Sequence, residues 1–522
     1  MKKISFYTFY FLLFSLNIYA QPKYEFRGVW VATVDNIDWP STKKLSTDSQ
    51  KIEFIKLLDL HKANGMNAII AQIRPATDAF YPSPYEPWSE WLTGTQGKPP
   101  MPYYDPLEFM IAETHKRGME FHAWMNPYRA VFLLNRSSIA ATHVTRLHPE
   151  WFLNYAGKKY FDPGNKDAQN FVINIVRDVV KRYEVDAIHF DDYFYPYREA
   201  GLEFPDNASF AKNGNGMTKN DWRRSNVDSI IYKLSKTIKQ ENAFCKFGIS
   251  PFGVWRNIAK DPRGSNTKAG VTNYDDLYAD ILLWLENKWI DYAVPQLYWE
   301  IGFKVAPFEG LTDWWANNTF GRQLYIGHGF YRALEQRTGV WKTTTEIPKQ
   351  IQKIREMPQV SGSVYFSSKS FNSNPGGWND SLKNNYYKYP AIVPPMAWLD
   401  STKPARPSVK FDSTKNSFKD SVRIYWNTTN NDLVNRYIIY KFTDTSRINS
   451  NDAKNISAII ISENLFFDFS LKTIPSDKNK IVIAISALTK TNNESKLSRL
   501  LYLERRGTGW QVFPVASNKQ MK

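Results

Sequence analysis

The chain has 522 residues, more than a single hydrophobic core usually serves, so two domains or a large barrel with an appendage are expected. Apolar residues make up 43% and charged residues 23%, which excludes a disordered or fibrous chain, and the single cysteine, Cys245, excludes an intrachain disulfide and any cysteine-based metal cluster. The net charge of +16 is uneven: from Lys403 onward there are twenty Lys and Arg against ten Asp and Glu, while the longer N-terminal part is near balance.

Residues 1–20 read as a secretory leader, with Lys2 and Lys3, an apolar run from Phe6 to Leu16, and Ala20 ahead of Gln21. The run is shorter than the ~20 residues a spanning helix needs, and no cysteine follows it for lipid attachment. Export to the periplasm or the exterior is therefore expected, without stable membrane insertion. Export makes nucleic acid a poor partner for the basic C-terminal part, which instead suits docking on an anionic envelope surface. A solvated lysine-rich face explains the same charge equally well.

From Glu25 to Tyr389, β-rich runs alternate with amphipathic helical stretches. The strands are expected at Phe26–Thr33, Asn67–Ile73, Met119–Met125, Asp186–Asp191, Lys246–Ser250, Asp291–Tyr298, Gln323–Gly327 and Gly362–Phe366. Helices follow at Ile52–Ala63, Asp105–Arg117, Asp167–Tyr183, Asp221–Gln240, Tyr274–Glu286, Thr312–Asn317, Thr345–Glu356 and Trp378–Tyr387. Eight such pairs predict an α/β fold, a (β/α)8 TIM barrel over 25–390, and no glycine-rich phosphate loop follows the first strand to favour an open sheet. Residues 391–405 read as a linker. Short alternating strands over 406–504, including Val422–Trp426, Tyr437–Phe442 and Ile481–Leu488, predict a small all-β sandwich whose pattern resembles a fibronectin type III module. Residues 505–522 read as a loose tail.

Hydrolysis of a glycosidic bond needs two carboxyl groups, one to protonate the leaving oxygen and one to attack the sugar or activate water. In Asp186-Ala187-Ile188-His189-Phe190-Asp191-Asp192 the strand alternation turns Ile188 and Phe190 toward the helices and His189 and Asp191 into the barrel mouth. Asp191 and Asp192 are the leading catalytic candidates. Glu300 and Asp78 are the other candidates for the second acid, and Arg74 could orient Asp191 or hold a substrate carboxylate. Gln296, Tyr298 and Trp299 follow strand six and suit sugar hydroxyls and a stacking face; Tyr193 stands beside the acid pair. His122, Asn126 and Arg129 end strand three, where Asn126 suits an N-acetyl group and Arg129 an anionic one. Trp255 ends strand five and could wall a subsite or simply pack. No zincin-type histidine spacing and no Gly-x-Ser-x-Gly elbow is present, so no metal or other cofactor is expected.

Phe26 to Val34 with Asn36-Ile37-Asp38-Trp39-Pro40 resembles the opening of glycosyl hydrolase-like family ten. Gln72 to Tyr81, His122 to Arg129, His189 to Tyr197, Trp222 to Val227, Phe247 to Asn257 and Pro295 to Trp299 continue the resemblance across Glu25–Tyr389. It implies a TIM-barrel glycoside hydrolase of the bacterial envelope, with peptidoglycan glycan strands, those stripped of peptide included, as the polysaccharide partner. Asp191 and Asp192 fall in the family's most distinctive motif. A glycan-binding scaffold without turnover and a metal-dependent polysaccharide deacetylase are the competing expectations.

Overall fold

The computed structural model describes residues 21–514 apart from 336–338, 343–344, 412–417, 430, 462 and 464. The expected leader, 1–20, lies outside the described residues. Eight strands, β1 (Phe26–Val31), β2 (Ala68–Arg74), β3 (Glu120–Met125), β4 (Ala187–Phe190), β5 (Lys246–Ile249), β6 (Tyr292–Ala293), β7 (Gln323–His328) and β8 (Val360–Tyr365), form a closed, all-parallel barrel in sequential order. This is the expected (β/α)8 architecture. Four of its long helices begin where a side chain can take the orphan first-turn N–H groups: Ser46 accepts from Ser49, Asp105 from Leu107 and Glu108, Asn165 from Asp167 and Ala168, and Thr218 from Asp221.

Strand alternation sorts the side chains into two cores. Ile69, Phe121, Ile188, Phe190 and Phe247 meet the helices, while Phe26, Trp30, Ile70, Trp124, Tyr292 and Tyr325 fill the barrel interior. At Gly248 an added Cβ would fall 1.9 Å from the Tyr292 ring, so the missing side chain is what admits that tyrosine to the interior.

Within the barrel and the stretch that follows it, three expectations change. The helix placed at Tyr274–Glu286 is two short helices, Asn273–Asp276 and Ile281–Glu286, because Tyr278 takes a left-handed turn (φ 55°) and Asp280 caps a fresh start by accepting from Leu283. Strand six stops at Ala293, two residues before Pro295, which has no N–H for a ladder; only Gln296 rejoins it, bridging Phe252 and Gly327. The stretch read as a linker is packed: Ile392 exchanges backbone hydrogen bonds with Lys23 and Glu25, and Val393 and Met396 join the barrel-interior core.

Beyond it, β9 (Ser408–Phe411), β10 (Ser421–Asn427), β11 (Arg436–Phe442), β12 (Ile456–Ile461), β13 (Phe466–Ser470), β14 (Lys480–Leu488), β15 (Leu501–Arg506) and β16 (Gly509–Pro514) make two antiparallel sheets, β9-β10-β13 and β12-β11-β14-β15-β16. Trp426, Tyr437, Ile439, Ile483, Leu503 and Trp510 form their shared core, a β-sandwich. The tail expected from residue 505 begins instead as the β15–β16 hairpin, with Trp510 buried as its anchor; residues 515–522 lie outside the described residues. The sandwich seats on the N-terminal end of the barrel strands. There Arg436 donates to the Gly118 carbonyl at 3.3 Å, and Lys23 pairs with Glu494 at 2.6 Å.

Candidate active site

The opposite end, where the strands' C-termini open, carries a cleft of about 460 Å³. A larger cavity of about 960 Å³ lies between the barrel base and the sandwich; of its acids, Asp186 pairs with His115, Glu113 pairs with Arg117, and Glu463 is exposed. The cleft differs in holding two buried acids, Asp191 and Asp192, that pair with no cation among the described residues.

Asp191 follows β4 directly. Its Oδ2 accepts from Trp124 Nε1 at 3.0 Å and from Asn126 Nδ2 at 3.1 Å, and its Oδ1 from Asn126 Nδ2 at 3.2 Å and the Tyr193 N–H at 3.3 Å. The Asn126 amide can point only this way, because its Oδ1 accepts from the Arg129 N–H at 2.8 Å. Burial raises the Asp191 pKa, while the Arg129 charge and these donors pull it back. Burial pushes Asp192 up to about 6; the neighbouring Asp191 charge adds to the rise, and the hydroxyl of Tyr197, donating to Oδ2, opposes it. In this low-dielectric site beside a second acid, Asp192 thus keeps its proton to about pH 6, well above an ordinary carboxyl.

Arg129 lies on a three-stranded antiparallel ribbon, Arg129–Val131, Phe152–Tyr155 and Lys158–Phe161, that walls the cleft. Its guanidinium sits 4.5 Å from the Tyr193 ring centre and 5.5 Å from that of Phe132. Lys158 lines the same wall. His189 sits under the cleft floor, where its Nε2 accepts from Trp30 Nε1 at 3.2 Å; burial keeps its pKa well below the ordinary value.

Of the residues singled out from the sequence, Asp191, Asp192, Arg129, Tyr193, Gln296 and Tyr298 line the cleft, with Asn126 behind Asp191. Six others lie elsewhere. Arg74 is buried in an ion pair with Glu86 at 2.6 Å and donates to Asn126 O, so it does not reach Asp191. Asp78 turns away after Thr77 (φ 55°), accepts from the Ala76 N–H, and is raised to about 7 chiefly by burial. Glu300 follows the early end of β6 and accepts from Trp341 Nε1 at 3.1 Å outside the cleft. Trp299 packs edge-on against Phe252, with ring centres 5.6 Å apart. Trp255 is buried and donates to Asp280 at 3.1 Å. His122 lies deep in the barrel beside Glu120.

Trp30, Gln72, Lys158, Tyr197 and Phe366 also line the cleft and were not among the candidates. Trp30 carried a usable signal, the inward parity of β1 set by Phe26 and Gly28. Tyr197 ends the His189 to Tyr197 motif but no strand parity aims it, and Lys158 carries no signal, since loop and ribbon geometry brings them in. Among the described residues no group of three or more His, Cys, Asp and Glu side chains is arranged to hold a metal ion.

A closed parallel barrel with an acid pair at a strand's C-terminal end, in a cleft walled by Trp30, Trp124, Tyr193 and Tyr298, defines a site of the glycosidase type. The chain belongs to the family described as "Glycosyl hydrolase-like 10", which it matches over residues 25–340. It is 50% identical over 395 residues to the glycosyl hydrolase YngK of Bacillus subtilis (strain 168), covering 75% of this chain and 77% of that one. To the glycosyl hydrolase DigH of Escherichia coli (strain K12) it is 36% identical over 370 residues, covering 66% and 83%. Among solved structures, the catalytic domain of the β-amylase of Paenibacillus polymyxa aligns with a TM-score of 0.45 at 12% identity, covering 71% of this chain and 99% of that one.

Proposed function

We propose that the protein is an exported glycoside hydrolase that cuts O-glycosidic bonds in a cell-envelope glycan, with peptidoglycan strands freed of their peptides as substrate. One observation carries the reading: Asp191 and Asp192 are buried together in a cleft, neither in contact with a cation, with Asp191 gripped by neutral donors and Asp192 raised to about 6. In this reading Asp191 acts as the carboxylate that attacks the sugar or activates water, and Asp192 holds the proton for the leaving oxygen. Trp30, Trp124 and Tyr298 supply apolar faces for sugar rings. Arg129 and Lys158 supply positive charge for the carboxylates that peptide removal exposes on such strands. Export rests on the leader-like residues 1–20, and docking on the envelope rests on the basic composition beyond Lys403. Among the described residues no helix is long and apolar enough to cross a membrane.

Digesting intact sacculi, peptide-free glycan strands and neutral polysaccharides with the purified protein, and identifying the products by mass, tests the reading. Saccharide fragments released from peptide-free strands support it. Release of acetate with chain length unchanged, or no change in any substrate, overturns it.

A further inference from the structure

The interior of the barrel contains a line of polar side chains that the proposed chemistry does not use. It begins under the cleft, where Trp30 Nε1 donates to His189 Nε2 at 3.2 Å and the Ser250 hydroxyl lies 3.1 Å from the same nitrogen. His189 Nδ1 is 3.1 Å from the Tyr292 hydroxyl, which is 2.8 Å from His122 Nδ1. His122 Nε2 is 3.0 Å from Glu120 Oε2, and Lys246 Nζ holds both Glu120 oxygens at 2.6 Å. The last partner comes from the sandwich: Asn492, on the turn after β14 at φ 64°, donates its Nδ2 to Glu120 Oε1 at 2.9 Å. Its orientation is fixed because its Oδ1 accepts from Arg436 at 2.6 Å. Every member is buried.

The direction of the line follows by elimination. An indole N–H only donates, so His189 Nε2 carries a lone pair; burial keeps this ring neutral, so Nδ1 bears the proton and donates to Tyr292. The Tyr292 hydroxyl, having accepted there, donates to His122 Nδ1. The His122 ring, also shifted toward neutrality by burial, then donates from Nε2 to Glu120, an acceptor-only carboxylate whose pKa Lys246 and His122 hold far below the ordinary value. A donor-only group at one end and an acceptor-only group at the other leave one arrangement.

We propose that Glu120, reached from below by Asn492 of the sandwich, is a positioning residue for the cleft. Through His122 and Tyr292 it supplies the acceptor that His189 Nδ1–H needs, so that Trp30 at Nε2 and this line at Nδ1 hold the tautomer together; without that acceptor a ring donating from Nε2 to the Ser250 hydroxyl competes, and the orientation of Trp30 and Ser250 in the cleft lining changes with it. The sandwich is then part of what shapes the barrel's opposite end. This rests on the cleft being the active site, as proposed above.

Tyr292→Phe in the full chain cuts the line at its midpoint without changing charge. Long-range proton–nitrogen spectra of the histidine rings distinguish Nδ1–H from Nε2–H. The expected wild-type pattern is Nδ1–H at His189 and Nε2–H at His122. In Tyr292→Phe the single His189 tautomer is lost and kcat on glycan falls about tenfold with KM little changed. Glu120→Gln, whose amide can donate as well as accept, gives the same signature from the far end. A His189 tautomer unchanged in both variants overturns the proposal whatever the rate does, and so does a lost tautomer with unchanged kcat. If the wild type cleaves no glycan, the proposed activity fails by itself; the ring spectra, with the Trp30 indole signal as the cleft-side readout, still decide the relay.

Discussion

The two ends of the barrel bury carboxyl groups almost equally and treat them in opposite ways. Glu120, at the base, is 1% exposed, and Asp192, at the mouth, 3%. Desolvation pushes both upward. At the base Lys246 lies 2.6 Å from Glu120 and Arg436 3.9 Å, with His122 and Asn492 beside them, and the net shift is far down. At the mouth Asp192 has Tyr197 and Gln296 for donors and Asp191 for a neighbour, and its pKa rises to about 6. The partner, not the depth, decides the state of a buried acid. A paired carboxylate at the base serves stability, and an unpaired acid at the mouth is held ready for proton transfer at a cost in stability.

The contrast can be broken first at Lys246. Lys246→Met leaves Glu120 charged and buried with only Arg436, 3.9 Å away, as a cation, and should cost about 3 kcal/mol in chemical denaturation. The opposite sign is expected at the mouth. Between the ordinary carboxyl value near 4 and about 6, the folded chain keeps a proton on Asp192 that the unfolded chain has released. Stability from this group therefore falls as pH rises through that window and stays lower above it. Asp192→Asn should remove the penalty, raising stability at pH 7 by about 2 kcal/mol and flattening its pH dependence between 4 and 6, while glycan cleavage is lost. A destabilised Asp192→Asn would contradict the assignment of an unpaired acid.

A finer probe is Tyr197→Phe. The hydroxyl holds Asp192 down, so its removal should raise that pKa further and move the alkaline limb of the pH–rate profile to higher pH. The smallest effect is expected at Arg423, whose contact with Asp468 on β10 and β13 is exposed on both sides. Arg423→Ala should leave the unfolding midpoint within error, since screened surface pairs contribute little.

The barrel is legible in the sequence because its strands and helices repeat at their own periods, and β4 shows this most clearly. The alternation of Ile188 and Phe190 with His189 follows from local geometry alone. The reading weakens where a side chain's direction depends on something other than strand parity. A strand six that runs to Tyr298 would bring Glu300 and Trp299 to the mouth, whereas Pro295 ends the ladder early and the chain turns them outward. Asp78 leaves the mouth because Thr77 adopts a left-handed conformation that a strand pattern does not foretell. Arg74 has a partner twelve residues away, Glu86, on a loop whose return no periodicity encodes. The base of the barrel was the least legible region: Glu120 and Asn492 are 372 residues apart in the chain, and their contact follows only from how the sandwich seats.

The central claim is that the acid pair after β4 cleaves glycan, and Asp191→Asn tests it most directly. The measurement follows release of soluble saccharide from peptide-free glycan strands alongside co-sedimentation of the protein with the same strands. The account predicts that the native chain releases fragments, and that the variant sediments with the strands as before but releases at least about a thousandfold less. Fragment release by the variant at the native rate would contradict it, as would a native chain that sediments with the strands and never cuts them.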